Sequence, residues 1–200
     1  MRWIDVAGAP GVGKSTLMDG FWPPRCIQWD EKPYPEEWSE FLMVVDRLLK
    51  KIQRHPSIGA CKSMIQRSFR KIATVSRMQD DRIYIQTGLV QRGLGIGWRL
   101  KDPEDIAAYF EIMPVSIGVA ILFADVETVQ RRNVERGKDR SHMVPLMERP
   151  RQIAVEILRD RIPLLELDTT RLVNENVADL LAFSDRAAKI AHARAVGYSG

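Results

Sequence analysis

A nine-residue segment close to the amino terminus constrains the fold of this chain more than any other part of its sequence. The segment reads Gly8-Ala9-Pro10-Gly11-Val12-Gly13-Lys14-Ser15-Thr16, which completes the phosphate-binding pattern G-x-x-x-x-G-K-S. The apolar residues 3–7 before it predict a short buried strand, and residues 15–19 predict the first turns of a helix. A strand, a glycine-rich loop and a helix in this order predict an α/β fold.

The residue types in this loop suit the binding of a nucleoside triphosphate. Glycines let the backbone curl so that successive N–H groups point at phosphate oxygens, and the positive end of the following helix adds to the attraction. Lys14 would reach the β- and γ-phosphates, and the Ser15 hydroxyl would bind magnesium. The loop therefore predicts ATP and Mg²⁺ as cofactors; the alternative is a glycine-rich turn that precedes Lys-Ser by chance.

The composition limits the classes of protein to which the chain can belong. Its 200 residues suit one domain, and no apolar run reaches the roughly 18 residues that cross a bilayer. Cys26 and Cys61 have no metal-ligand spacing and the three histidines form no cluster, so a zinc site is not expected. We expect a single cytoplasmic domain over residues 1–200, with no signal peptide and no membrane partner.

Five apolar segments predict strands, and helical patterns separate most of them. The predicted strands cover residues 3–7, 25–29, 82–86, 116–123 and 164–167, the main predicted helices cover about 36–54, 58–78, 102–113, 125–136, 148–160 and 174–189, and residues 87–98 form a glycine-punctuated segment. This order predicts a three-layer α/β sandwich with a five-stranded parallel sheet. The phosphate loop, Asp30-Glu31, Gln86-Thr87 and Asp125 would then share the rim where ligands bind.

Charge is distributed unevenly along the chain, whose formal net charge is +4. Residues 47–79 contain no aspartate or glutamate but nine basic residues: Arg47, Lys50, Lys51, Arg54, Lys62, Arg67, Arg70, Lys71 and Arg77. This acid-free basic segment indicates a polyanionic partner. The alternative is a solvated helix face that acidic segments elsewhere in the fold neutralise.

Four stretches, taken in order, resemble the thymidylate kinase and deoxynucleoside kinase branch of the P-loop kinases over nearly the whole chain. They are the phosphate loop, residues 28–33 with Trp38, residues 121–138, and residues 165–181. The resemblance implies a P-loop NTPase fold of the thymidylate kinase type, with basic acceptor-side helices at about 36–79 and a short arginine-bearing lid at about 126–145. It also places the backbone near Asp168 and Thr169 beside the adenine.

The resemblance further implies that the chain is an ATP-dependent kinase and assigns roles to individual side chains. In this family an acid after the second strand takes the proton from the attacking hydroxyl, and Asp30 or Glu31 would do so here. Lys14 would bind the phosphates during transfer. Arginines on the lid would neutralise the transferring phosphoryl group; these are Arg132, Arg136 and Arg140.

One position departs from the family. Its members usually carry an acid at the end of the third strand, where this sequence reads Gln86-Thr87. An amide cannot supply the charge of a carboxylate that holds magnesium through water. Three explanations remain open: Asp30 or Glu31 covers the role, Ser15 and the phosphates hold magnesium alone, or the chain has lost catalysis.

Size, architecture and charge together suggest an acceptor. Size and architecture resemble the bacteriophage kinases that phosphorylate 5-hydroxymethyluracil in DNA during thymidine hypermodification, and the basic segment would suit a DNA backbone. Trp29, Tyr34, Trp38 and Trp98 are aromatic side chains that could stack on a base. The residues predicted to contact substrate or DNA are Trp38, Arg67, Arg70, Lys71, Gln91 and Arg92.

Two alternatives to a DNA acceptor stay open. One is a kinase for a free deoxynucleoside or deoxynucleoside monophosphate. The other is an inactive nucleotide-dependent DNA-binding or switch protein. The sequence also leaves open the choice between ATP and GTP and the oligomeric state, a homodimer included.

Overall fold

A computed structural model describes residues 3–19, 38–56, 58–75, 83–86, 88–137 and 142–197 of the chain. Several predicted features lie outside these residues, namely the strand at 25–29, the acids Asp30 and Glu31, and Arg140 of the lid. The acid-free basic segment is described in part, because the side chains of Arg70 and Lys71 fall outside while their backbone is part of a helix.

The described strands form one parallel sheet. They are β1 (Trp3–Gly8), β2 (Ile83–Ile85), β3 (Gly118–Phe123) and β4 (Leu164–Asp168), in the spatial order β2-β1-β3-β4. The predicted α/β fold with a parallel sheet is confirmed. The sheet has four strands among the described residues where the sequence predicted five, and the fifth predicted strand, at 25–29, lies outside those residues.

Eight helices within the described residues connect and flank these strands. They are α1 (Lys14–Asp19), α2 (Ser39–Lys51), α3 (Ile58–Val75), α4 (Leu89–Gly97), α5 (Pro103–Ile112), α6 (Val126–Glu135), α7 (Met143–Arg161) and α8 (Val173–Gly197). Asp102 and Asp125 cap α5 and α6 as expected, accepting hydrogen bonds from Glu104 N at 3.0 Å and Thr128 N at 2.7 Å.

Alternate residues of the central strands face two separate hydrophobic clusters. The larger cluster packs Trp3, Ala7 and Val119 against α2, α4, α5 and α7. The smaller packs Ile4 and Val6 against α1 and α8. Helices therefore cover both faces of a sheet buried on both sides, which confirms the predicted three layers.

Helix α4 was not predicted, because three glycines in nine residues disfavour a helix. Two of these glycines are sites of close packing. A Cβ on Gly93 would lie 2.6 Å from ring carbons of Phe110 and Tyr109, and one on Gly97 would lie 2.7 Å from Pro150. Glycine at these positions lets α4 approach α5 and α7, so tertiary contact offsets the low helix propensity.

Candidate functional site

The phosphate loop joins β1 to α1 at the carboxyl end of the sheet. Gly11 and Gly13 have φ values of +85° and +102°, a region that residues with a Cβ rarely adopt. The Gly13 carbonyl accepts a hydrogen bond from Leu17 N at 2.9 Å, so the loop passes directly into the helix. The glycine spacing in the sequence thus corresponds to the backbone geometry that an anion cradle needs.

Lys14 is folded back onto its own loop. Its Nζ atom donates hydrogen bonds to Gly8 O at 2.7 Å and to Ala9 O at 3.0 Å. Burial lowers the pKa of the Lys14 ammonium to about 8, because desolvation disfavours the charged form. In this conformation the loop carbonyls take the place of a ligand's phosphate oxygens as partners of the lysine.

Ser15 is the residue expected to bind magnesium, and its hydroxyl accepts a hydrogen bond from the side chain of Gln86. The Nε2 atom of Gln86 donates a hydrogen bond to Ser15 Oγ at 2.9 Å. No group of three or more His, Cys, Asp or Glu side chains that could hold a metal occurs among the described residues. Mg²⁺ commonly keeps several waters and binds through substrate phosphates, so one hydroxyl with an amide beside it fits a magnesium ion carried mainly by a nucleotide.

The last turns of α6 lie directly on the phosphate loop. Arg132 donates from Nη1 to Val12 O at 3.3 Å and from Nη2 to Thr169 O at 2.6 Å. Arg136 donates from Nη2 to Thr16 Oγ1 at 3.3 Å. Two of the three predicted lid arginines therefore meet the loop, and Arg140 lies outside the described residues.

Thr169, at the end of β4, ties three elements together. Its Oγ1 donates to Val12 O at 2.5 Å, and its backbone N–H donates to Phe123 O at 2.9 Å. Beside it, the Asp168 carboxylate accepts from Thr170 N at 2.9 Å, and the Asp168 carbonyl accepts from Asn176 Nδ2 at 3.0 Å. These bonds fix the strand end against the loop.

A cleft of about 110 Å³ opens between the loop, α6 and the end of β4. Its walls include Thr16 on α1, Arg132 on α6, Arg136 directly after α6, Thr169 after β4, and Val173 on α8. This volume is smaller than the roughly 300 Å³ or more of typical small-molecule pockets, so the cleft in this conformation would hold only part of a nucleotide. The cleft adjoins Thr169, where the resemblance placed the adenine of the nucleotide.

The start of α4 is bonded to β1 and to the loop. Gln91 Oε1 accepts a hydrogen bond from Gly8 N at 3.0 Å. In this conformation the Gln91 side chain therefore contacts the phosphate loop, although the sequence predicted that it contacts the substrate. The Asp5 carboxylate accepts from Val90 N at 2.9 Å, and Arg92 donates from Nε to Ser68 Oγ at 2.7 Å. Burial raises the pKa of the Asp5 carboxyl to about 7, against the lowering effects of the Val90 hydrogen bond and the Arg92 charge.

Among the predicted acceptor-side residues, Trp38 needs a correction. It is 1% exposed and packs in the larger hydrophobic cluster, so it is a core side chain and offers no surface on which a base could stack. Trp98 is half-buried, with the Arg99 guanidinium 4.0 Å from its ring centroid. Arg67 is exposed and donates to Ser63 Oγ at 3.0 Å.

Part of the acid-free basic segment is neutralised within the fold. Lys50 pairs with Asp46 at 2.7 Å and Lys51 pairs with Asp105 at 2.6 Å. These two ion pairs agree with the alternative in which acids elsewhere balance a solvated face. Arg47, Arg54 and Arg67 are exposed, so a positively charged surface remains on α2 and α3.

Sequence reasoning missed Asp5 and Asn133. Asp5 is a charged residue in the middle of an apolar strand, and this position alone could have singled it out. Asn133 is 4% exposed and lies one turn after the buried Val129. That helical spacing could have placed Asn133 on the buried face of α6, but its contact with the phosphate loop required the structure.

Comparisons with known proteins identify the fold. No protein-family model matches the sequence, and no curated protein is a match. A structure of deoxyadenosine kinase from M. mycoides with dCMP and a flexible dCDP is similar, with a TM-score of 0.56 and 15% identity over 90% of this chain and 97% of that one. The same kinase with bound dATP gives a TM-score of 0.54, again at 15% identity, over 90% of this chain and 98% of that one.

The comparison supports the architecture independently of the motif. The similarity extends over most of both chains, so it includes the sheet and the helices around it as well as the loop. None of the described helices is both long and apolar enough to cross a bilayer. This chain has the P-loop fold of the deoxynucleoside kinases.

Proposed function

We propose that this protein is an ATP-dependent phosphotransferase that moves the γ-phosphate to a hydroxyl group of a nucleoside-type acceptor. One observation carries the proposal. A complete phosphate loop lies at the carboxyl end of a parallel sheet, and Arg132 and Arg136 donate hydrogen bonds to its residues. This combination supplies the positioning and the positive charge that phosphoryl transfer needs.

The residues around the loop have distinct tasks in this proposal. Lys14 turns from the Gly8 and Ala9 carbonyls to the triphosphate, whose negative charge raises the lysine pKa again. Arg136, which donates to Thr16 of the loop at 3.3 Å, would neutralise the charge that develops on the transferring group. Ser15 would hold Mg²⁺, which neutralises phosphate charge when bound. Asp30 or Glu31 remains the predicted acceptor of the hydroxyl proton.

Two acceptor classes have support from separate observations. The exposed arginines of α2 and α3 favour an acceptor within DNA, for which the specific candidate is the hydroxymethyl group of 5-hydroxymethyluracil. The fold shared with deoxyadenosine kinases favours a free deoxynucleoside or its monophosphate. The ion pairs of Lys50 and Lys51 reduce the charge available for DNA and so agree with the second class.

Transfer of radiolabelled γ-phosphate, offered in parallel to four acceptors, tests the proposal. The acceptors are free deoxynucleosides, deoxynucleoside monophosphates, ordinary DNA and DNA containing 5-hydroxymethyluracil. Lys14→Ala serves as the matched control and should abolish the label in every lane. Label in the last lane alone identifies the DNA base as acceptor. No label in any lane, with ATP still bound, would leave the nucleotide-dependent switch as the function.

The choice between Asp30 and Glu31 as proton acceptor needs a separate experiment. Asp30→Asn and Glu31→Gln keep the size of each side chain but remove its basicity. Loss of a general base reduces turnover by about 100-fold or more, so only one of the two variants should show this loss. Equal and mild effects would reject both assignments.

A further inference from the structure

Asn133, on the buried face of α6, carries a polar group that the structure leaves unsatisfied. The residue is 4% exposed, and its Nδ2 atom is buried without a hydrogen-bond acceptor in the described parts of the chain. A buried N–H group without an acceptor is costly in free energy, and most proteins avoid it. Its presence here calls for a conformation in which the group finds a partner.

The Asn133 amide lies against the centre of the phosphate loop. A Cβ built on Gly11 would lie 2.6 Å from Asn133 Oδ1 and 2.8 Å from Nδ2. Arg132 donates to the loop at Val12, and Arg136 donates to Thr16 at the start of α1. The end of α6 thus contacts the loop through three side chains, and that of Asn133 is the one at the loop centre.

The loop itself is in a conformation that a triphosphate has to change. The Nζ atom of Lys14 donates hydrogen bonds to the carbonyl oxygens of Gly8 and Ala9, at 2.7 and 3.0 Å. When the lysine turns to phosphate oxygens, these two carbonyls lose a charged donor. The Nδ2 atom of Asn133 lies against Gly11 and has no acceptor among the described residues, so it is a donor that can bond a carbonyl of the rearranged loop.

We propose that Asn133 is a positioning residue for the phosphate loop, an inference that rests on the proposed function. Its Nδ2 lacks an acceptor while Lys14 is folded back, and it donates to a loop carbonyl once Lys14 has turned to the triphosphate. The same side chain therefore destabilises the closed loop, in which Lys14 bonds the loop carbonyls, and stabilises the loaded loop, in which Lys14 bonds the triphosphate. A group that favours one of two conformations in this way raises the affinity of the ligand that selects it.

Asn133→Leu tests the inference, because leucine has a similar size and no polar atoms. Removing the unsatisfied donor should leave the thermal midpoint of the ligand-free protein unchanged or raise it. The same substitution should raise the Kd for ATP about tenfold or more, since the loaded loop loses a hydrogen bond that the closed loop never made. Thermal unfolding and calorimetry measure the two quantities, and tripolyphosphate alone should show the same loss of affinity.

The combination of readouts separates positioning from packing. Val129→Ala, one turn earlier on the same buried face, is the matched control and should lower the midpoint while leaving the Kd unchanged. Asn133→Ala serves where the leucine variant does not fold. A Kd within twofold of the wild-type value, or a lower midpoint with unchanged affinity, overturns the inference. A wild-type protein that binds neither ATP nor tripolyphosphate overturns the proposed function and the inference with it.

Discussion

Lys14 links the state of the phosphate loop to pH. Its pKa is about 8 while it is buried on the loop carbonyls, and a bound triphosphate would raise that pKa. Binding then takes up a proton wherever the free lysine is neutral, so the Kd for ATP should rise with pH above about 8, by up to tenfold per pH unit. Calorimetry between pH 7 and 9.5 measures this rise. Lys14→Arg, which stays charged over that range, should show a flat profile; a rise that persists in this variant would refute the assignment.

Asp5 should impose a different pH dependence, on stability instead of binding. Its carboxyl is 1% exposed, and its pKa in the folded protein is about 7 against the model-peptide value of 3.8. A carboxyl whose pKa is raised on folding stabilises the protein fully at pH values below its pKa in the unfolded chain. This stabilisation declines as the pH rises to the folded pKa of about 7. Relative to Asp5→Asn, the wild-type protein should therefore lose about 2–3 kcal/mol of unfolding free energy between pH 5 and pH 8.

Urea denaturation at the two pH values measures this difference. Asp125→Asn is the matched control. The pKa of Asp125 is lowered chiefly by its hydrogen bonds to Thr128, so its effect falls below pH 4 and not in the same window. An equal pH response in wild-type protein and Asp5→Asn would show that Asp5 does not titrate in this range.

The residues recovered from sequence are those whose chemistry is local. The phosphate loop was predictable because its glycine spacing, Lys14 and Ser15 are consecutive in the chain and need no distant partner to be recognised. Asp5 and Asn133 were not predicted, because their importance comes from contacts more than 80 and 120 residues away, with Val90 and Gly11 respectively. Burial and a missing partner are properties of the folded chain.

Helix α4 shows how an element can form against its intrinsic propensity. Gly93 and Gly95 both lie inside this helix, but only Gly93 faces neighbouring rings, at 2.6 Å from an added Cβ, whereas nothing lies within 4 Å of a Cβ on Gly95. Gly93→Ala should destabilise the protein by about 1–3 kcal/mol through overpacking. Gly95→Ala should stabilise it by about 0.5–1 kcal/mol through helix propensity.

Urea unfolding of these two variants, each against wild type, separates packing from propensity. The substitution is the same and the helix is the same, so backbone entropy cancels between them to first order. Opposite signs support the close approach of α4 to α5. Two stabilising substitutions would mean that Phe110 and Tyr109 move aside at little cost.

Helices and strands were predicted best from the sequence where a single local pattern marked them. Apolar runs marked β1, β3 and β4, and acidic caps marked the starts of α5 and α6. The helix expected at about 148–160 begins earlier, at Met143. Pro150 lies inside both the predicted and the observed helix, and its buried packing against Gly97 offsets the free energy that a proline costs within a helix. In α4 as well, packing between helices stabilises a helix that the local sequence disfavours, and such packing cannot be predicted from a local sequence pattern.

For the molecule as a whole, exposed basic residues lie on both sides of the sheet, and the proposal of a DNA acceptor assigns DNA binding to only one side. Helices α2 and α3 cover one face, and the exposed arginines there are Arg47 on α2, Arg54 in the turn between the helices and Arg67 on α3. Arg186, Lys189 and Arg194 are exposed on α8, which covers the other. Reversing either set to glutamate changes the net charge equally, so the two triple variants form a matched pair.

If the acceptor lies in DNA, the α2–α3 variant should bind DNA more weakly and show a shallower dependence of log K on log salt. Each lost phosphate contact reduces that slope by about 0.9, so three contacts correspond to roughly 2–3. The α8 variant should bind DNA almost as the wild type does, and both variants should retain ATP affinity. Fluorescence anisotropy with a hydroxymethyluracil duplex at several salt concentrations measures the slopes. Equal losses in both variants would indicate a general charge effect, and no loss in either would favour a free deoxynucleoside as the acceptor.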